Sequence, residues 1–303
     1  MVHFQWPEAI FGWKAGCTER GLQRLNEQLS KCRLQGIKLV GTVHNETPHV
    51  WANQLDSRLY ESVYRNLDAF VHLGQTSVAL LKASRQALDS SRHRVIPHGN
   101  YGIFRALQSD EAIGITKRQR FTLLCFGAVR KPAEVNLICR VADSLSAIGG
   151  DLVVAGRVYS GTRRKLRYYQ MQVPLFVRRN VRLISGKIPD ERVAAIVSDC
   201  DALLIPRVDT LNSGNVALGF TFGKVVVGPD IGVIGEELKR RGNPVFDPSA
   251  DSASLNGAVM EARRLAETSL GAENRCYAES ELAWSNVAAL HEDLYRSLHP
   301  SAL

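Results

Sequence analysis

The stretch Leu203-Leu-Ile-Pro-Arg-Val-Asp-Thr-Leu-Asn-Ser-Gly-Asn-Val-Ala-Leu-Gly-Phe-Thr-Phe-Gly-Lys-Val-Val-Val-Gly-Pro-Asp230 decides the fold. An apolar run ends at Pro206, a polar loop follows, and Asn212 or Ser213 is placed to cap a helix that Gly223 ends. A second β-branched run, Val225 to Val227, then begins, so the stretch reads as one βαβ unit. The free N–H groups of a helix's first turn attract anions. Asn212-Ser213-Gly214-Asn215 is therefore a candidate phosphate site, and a simple N-cap is the alternative.

The same alternation extends outward. Strands are expected at Ile37–Val43, Ala69–Leu73, Arg94–Ile96, Phe121–Phe126, Asp151–Ala155, Val181–Ile184, Ala202–Ile205 and Val225–Val227. Helices are expected between them at Gln54–Asn66, Thr76–Ala87, Glu134–Ile148, Arg163–Met171, Asp190–Val197 and Val216–Phe222. Such a pattern implies α/β architecture with parallel sheets covered on both faces, and a ligand at the strands' carboxyl ends. The alternation breaks between Pro97 and Gln119, which predicts a domain at 1–104, a linker at 105–118 and a second domain at 119–303. After Ser252 the pattern is helical, ending in Glu273–Leu298.

A length of 303 residues fits two domains, and 45% hydrophobic with 22% charged residues is a globular composition. No apolar run approaches the ~20 residues of a membrane span. Glu8 and Lys14 interrupt the N-terminus, so a cytoplasmic protein is expected. Six cysteines without a C-x-x-C pair indicate neither a disulfide framework nor a zinc site. The net charge of +8 suits a polyanionic partner: phosphorylated ligand, anionic membrane or nucleic acid. Six basic residues and no acidic one between Arg163 and Arg179, interleaved with Tyr168, Tyr169 and Phe176, fit a solvated helix face, or an anionic membrane surface at which the protein sits peripherally. No nucleic-acid motif accompanies them, and no nucleic-acid partner is expected. Dinucleotide, P-loop, zincin and hydrolase signatures are absent from the sequence. Asp199-Cys-Asp201 matches a metal-binding D-x-D, but its place at a helix-to-strand junction marks a chance match. No metal site and no cofactor are expected.

Several short motifs, in order, resemble the family-4 (group 1) GT-B glycosyltransferases, in particular the exopolysaccharide- and capsule-building subgroup with an Asn-Ser-Gly donor loop. They are Val2-His-Phe-Gln-Trp-Pro, Gly41-Thr-Val-His-Asn, Val95-Ile-Pro-His-Gly-Asn, Phe126-Gly-Ala-Val-Arg, Leu152-Val-Val-Ala-Gly, the 203–230 stretch, and Trp284 with Tyr295, which resemble the family's closing helix that packs back on the N-terminal domain. The resemblance implies two Rossmann-like domains facing across a cleft, and transfer of a hexose from a nucleoside-diphosphate sugar, the donor substrate, to a glycan or lipid-linked acceptor in surface polysaccharide assembly. Retention of configuration and independence of metal are part of that expectation. Arg130 would hold the diphosphate, helped by Lys131 and by Asn212, Ser213, Gly214 and Asn215. A planar guanidinium suits two phosphate oxygens, and fixed cations stabilise the departing diphosphate. A solvated Arg-Lys pair is the alternative. His44, at a strand's carboxyl end, matches a histidine that contacts the donor sugar in relatives, so it joins Arg130 as a catalytic candidate. The alternative is a strand-end histidine bonded to nearby backbone. His3 and His49 are acceptor-side candidates, with Glu8 and Asp56 behind them.

The sequence departs from the family's pattern in three ways. The usual E-x7-E pair reads Thr210 and Leu218; Arg-x-x-Lys reads Arg130-Lys131-Pro132-Ala133; and the resemblance starts at Val2, so the N-terminal sheet should lack its opening strands. A non-catalytic protein that binds a nucleotide sugar or a partner enzyme is the second reading.

Overall fold

The computed structural model describes residues 1–12, 17–45, 54–84, 92–107, 120–158, 165–249 and 252–299, with the side chains of 165–170 excluded. The chain divides into two compact units: unit 1 is Met1–His98 with Ser285–Leu303, and unit 2 is Gly99–Trp284. The division falls earlier than the expected boundary at 104, for a local reason. Asn100 N–H donates to Leu282 O, Tyr101 N–H to Thr221 Oγ1 and Arg105 to Glu279, so the segment after His98 is bonded into unit 2. The last helix, counted within 119–303 but expected from the resemblance to pack back on the first domain, groups with unit 1 from Ser285 onward.

Unit 1 carries a parallel sheet of β1 (Val2–Phe4), β2 (Leu39–Val43), β3 (Ala69–His72) and β4 (Arg92–Val95), in that spatial order. Its crossovers include α1 (Glu19–Leu34), α2 (Gln54–Tyr64) and α3 (Gln75–Ser84). Helix α1 and strand β1 were not expected. In α1, Thr18 accepts from Gly21 N–H as the N-cap, and Leu22, Leu25 and Leu29 are buried on one face. Strands β2 and β3 are buried throughout, as parallel strands covered on both faces must be. One face packs Val40, Ala69, Val71 and Ile96 against Val287, Leu294 and Leu298 of α12 (Trp284–Leu298). Fully buried Leu side chains of this kind each contribute roughly 1.5–3 kcal/mol.

Unit 2 opens with the short helix α4 (Gly102–Ala106) and carries a parallel sheet of β5 (Thr122–Phe126), β6 (Asp151–Gly156), β7 (Val181–Ser185), β8 (Ala202–Leu204), β9 (Val225–Pro229) and β10 (Val245–Phe246), ordered β10-β9-β8-β5-β6-β7. Successive residues alternate between two apolar layers. Leu123, Leu152, Val154, Leu204 and Val227 join one layer; Leu124, Val153, Leu203 and Val226 join the other. Helices α5 (Pro132–Ala147) and α10 (Ser252–Ala266) cover the first layer, while α7 (Asp190–Ser198) and α8 (Asn215–Thr221) cover the second. Helix α9 (Gly232–Arg240) and strand β10 were also unexpected, and the expected 273–298 helix is broken by Glu281–Ala283 into α11 (Leu270–Ser280) and α12. The helix expected at 163–171 appears as α6 (Lys165–Phe176). Among the described residues no helix is long and apolar enough to cross a membrane.

Candidate functional site

The order of the second sheet marks where a ligand fits. From β5 the chain goes one way to β6 and β7, then returns to the other side for β8, β9 and β10. The crossovers leaving β5 and β8 therefore diverge, which opens a crevice at the carboxyl ends of these two neighbours. Arg130 and Lys131 follow β5, and Asn212 to Asn215 follow β8. Asp199 and Asp201 precede β8, at the opposite end, where the Asp201 carboxylate accepts from Thr122 N–H (2.8 Å). Among the described residues no cluster of His, Cys, Asp or Glu suits a metal ion.

The loop after β5 is fixed by backbone. Gly127 N–H donates to Ala155 O and Val129 N–H to Arg157 O, both at 2.8 Å. Gly127 has φ +95°, and a side chain at Gly156 (φ +146°) would run into the Gly127 carbonyl, so two bare backbones meet here. Pro132 then starts α5, and the buried Glu134 carboxylate turns back to accept from Arg130 N–H (2.6 Å) and Lys131 N–H (3.3 Å). Its other oxygen accepts from Arg207 Nη1 at 2.6 Å; the two side chains are 3% and 11% exposed. Sequence reasoning missed both partners. The available signal was an acidic residue in the first turn of a helix, four positions after Arg130.

The loop after β8 is held from the other side. Val233 N–H donates to Leu211 O (2.7 Å), and only a glycine at 232 (φ +51°) fits against that carbonyl. Asn215 Nδ2 donates to Phe126 O (2.7 Å), which ties the start of α8 to the end of β5. The expected cap is not formed: Gly214 is the N-cap and no side chain caps α8, although Ser213 Oγ accepts weakly from Asn215 N–H at 3.4 Å. Lys131 Nζ pairs with Asp209 at 2.5 Å, both half exposed. Of the two positions expected to replace the glutamate pair, Thr210 is half-buried and Leu218 is in the core at 2% exposure.

The remaining candidates are in unit 1. His44 follows β2; its Nε2 donates to Gln5 Oε1 (3.0 Å), and its ring stacks on Trp6 at 4.1 Å and 14°. Tyr64 OH donates to Asn45 O beside it (3.1 Å). Glu8, in the 3-10 turn Pro7–Phe11, is near the Tyr60 hydroxyl; burial and then this carboxylate push the phenol's pKa up. His3 does not stand open for an acceptor. Its Nδ1 is 2.6 Å from Tyr295 OH and its Nε2 is 2.9 Å from Thr42 Oγ1, so it pins β1 to β2 and α12. Burial, with His291 nearby, lowers its pKa to about 4. Asp56 is likewise not in a loop: it is in the first turn of α2, buried, and accepts from Cys17 N–H (3.0 Å). His49 lies outside the described residues. So do residues 163 and 164 of the basic segment and the side chains of 165–170, whereas Arg178 is committed to Asp143 through two bonds. A groove of about 340 Å3 lined by Val2, Phe4, Leu25, Leu29 and Leu39 holds none of these candidates.

No family model matches the chain, and no curated protein matches its sequence. Solved structures do match its fold. Sucrose-phosphate synthase from Thermosynechococcus elongatus aligns over 99% of this chain and 74% of its own, with a TM-score of 0.69 at 15% identity. HepE from Anabaena, in complex with UDP-glucose, aligns over 93% of this chain and 77% of its own (TM-score 0.66, 14% identity). The UDP-forming α,α-trehalose-phosphate synthase from Burkholderia xenovorans, in complex with glucose-6-phosphate, aligns over 90% and 71% (TM-score 0.62, 11% identity). The chain thus has the α/β fold, with two parallel sheets, of the GT-B glycosyltransferases.

Proposed function

We propose that this protein is a glycosyltransferase that takes a hexose from a nucleoside-diphosphate sugar and passes it to a glycan or lipid-linked acceptor, as in surface polysaccharide assembly. The observation that supports it best is the convergence of the Arg130–Lys131 and Asn212–Asn215 loops at the divergence between β5 and β8, cross-tied through Asn215 and Phe126 O. Solved structures of the same fold include that of HepE in complex with UDP-glucose.

In this reading Arg130 receives the diphosphate on its guanidinium fork, and Lys131 adds a second charge. As the sugar–phosphate bond breaks, negative charge grows on the departing diphosphate while the sugar becomes oxocarbenium-like. Cations already held in place stabilise that charge without rearranging, so no metal is required of the mechanism. Asn212, Ser213 and Asn215 supply neutral donors, with Gly214 leaving room for the phosphate. His44, held by Gln5 and Trp6, contacts the transferred sugar, and the configuration is retained. A lipid-linked acceptor would bring the protein to the inner face of an anionic membrane.

Calorimetry with UDP- and GDP-sugars tests the donor site. Binding is expected for one nucleotide class, with affinity falling about 10- to 100-fold in Arg130→Ala, the range of a lost charge-assisted contact. Absence of binding by both classes would refute the assignment. One feature favours the second reading, a non-catalytic binder: Thr210 and Leu218 stand where a glutamate pair would touch sugar and ribose, and Leu218 is in the core. Binding of the nucleotide sugar without release of sugar, to water or to any acceptor, would select that reading.

A further inference from the structure

The donor-site reading assigns roles to Arg130 and Lys131 but leaves unexplained why a carboxylate is buried beneath them. Glu134 is 2% exposed and has no apolar purpose at the first turn of α5. Its two oxygens do different work. Oε2 gathers the backbone N–H groups of Arg130 and Lys131, and Oε1 accepts from Arg207, which comes from the loop after β8. A short carboxylate chelating two successive amides fixes the direction in which both side chains leave the loop. Arg207 compensates the buried charge; removing either partner alone would strand the other. Above this pair the same two loops meet again, where Asp209 holds the Lys131 ammonium.

On the premise that an anion binds at this crevice, we propose that Glu134 and Arg207 are positioning residues that aim Arg130 and Lys131, and that Asp209 is a built-in stand-in for the ligand, occupying Lys131 until a diphosphate displaces it. The two ion pairs differ in the way this division of labour needs. The Glu134–Arg207 pair is buried and therefore little screened by salt. The Lys131–Asp209 pair is half exposed and worth at most about 1 kcal/mol, so a doubly charged phosphate group outcompetes it. A lysine with its counter-ion one loop away is kept from solvating in a random direction, and is released when a stronger anion arrives.

The experiment is UDP calorimetry on the full chain, with thermal melting of each variant alongside. Asp209→Asn is expected to tighten UDP binding by up to about fivefold at low salt, the equivalent of one exposed ion pair. The gain should vanish in a Lys131→Ala background, which separates release of that lysine from a general loss of negative charge. Glu134→Leu/Arg207→Leu removes the buried pair without leaving an orphan charge, and is expected to melt near the wild type while binding UDP about tenfold more weakly. Glu134→Gln/Arg207→Gln restores an oxygen to accept from Arg130 N–H and should recover part of that loss. The proposal is overturned if the folded Leu/Leu protein binds UDP like the wild type, or if the Asp209→Asn gain persists without Lys131. Should the Leu/Leu protein not fold, the Gln/Gln protein decides by the same comparison: wild-type UDP binding with unprotected Arg130 and Lys131 amides in hydrogen exchange overturns the positioning role. Failure of wild-type protein to bind either UDP or GDP is a different result: it removes the donor reading itself, and Asp209's role with it; a protein that binds GDP alone is put through the same comparisons with GDP.

Discussion

The two units use the same βα repeat but wind it differently. In unit 1 the four strands stand in chain order, each crossover carrying the sheet further the same way. In unit 2 the winding reverses at β5, and the reversal leaves two loops diverging above neighbouring strands. The chemistry follows the winding. Arginine and lysine gather at the reversal, with a buried carboxylate to aim them, whereas all eight histidines of the chain belong to unit 1. Two of them act there as hydrogen-bonding parts, one half-buried and one buried: His3 between Tyr295 and Thr42, and His72 between Ser77 and His93. Titratable imidazole is thus confined to unit 1. A sheet that reverses can cradle a ligand with backbone and permanent charge, while one that does not must build polar contacts from side chains.

That contrast can be broken from either side. The largest effect is expected from Gly156→Ala, because a Cβ there meets the Gly127 carbonyl and the backbone is in a glycine-only region. A loss of about 4 kcal/mol is expected. Hydrogen exchange should show unit 2 opening while unit 1 keeps its protection; equal loss in both would mean that the units fold as one. Next comes Leu294→Ala, which empties a buried position of α12 and should destabilise unit 1 by about 3 kcal/mol. Nucleotide affinity at 25 °C should be unchanged if the anion site is self-contained in unit 2. Arg130→Ala is its mirror: about 2 kcal/mol of binding lost, with melting of both units unaffected, checked by calorimetry and thermal scans on one sample.

The smallest effect concerns pH. Burial lowers the pKa of His3 to about 4 and that of His72, also beside His93 and Lys82, to about 3. Both are below the unfolded value of 6.5, so the unfolded chain binds protons first as the solution is acidified. Their contribution is complete above pH 6.5 and is lost as pH falls from 6.5 towards 4 and then 3. At pH 6 the loss should be under about 1 kcal/mol per histidine. It should appear only in exchange from unit 1, and His3→Gln should flatten the slope. Acid sensitivity of unit 2 over the same range would contradict the segregation.

Elements with a buried, β-branched signature were legible in the sequence. The eight expected strands appear with ends shifted by a residue or two; burial on both faces writes an unbroken apolar run in the central ones, such as β2, β6 and β9, whereas β4 and β7 carry arginine and are partly exposed. Strand β1 has only three residues and β10 two, too few for periodicity to register. Helix α1 carried its cap and its leucine spacing in plain view, but amid Arg, Gln, Glu and Lys that diluted the pattern. The candidate site was legible only in its first layer. Strand-end position and resemblance point to Arg130 and Lys131, just after the apolar run of β5, and to Asn215, just before the apolar run of α8. Arg207 and Glu134 are 73 positions apart, and they meet only because β8 pairs with β5, an order that hydrophobic pattern does not encode. The same applies to His3, whose partner Tyr295 is 292 positions away.

Unit 1 is assembled from both ends of the sequence, and unit 2 is one uninterrupted stretch between them. On a ribosome this imposes an order. Unit 2 has every residue of its two apolar layers available once Trp284 has emerged, while the face of β2 and β3 that awaits Val287, Leu294 and Leu298 stays uncovered until the last turns of α12 are made. Of the two sheets, the first to be synthesised is therefore the last to be finished, and its early lifetime is spent with Val40, Val71 and Ile96 open to whatever apolar surface is nearby.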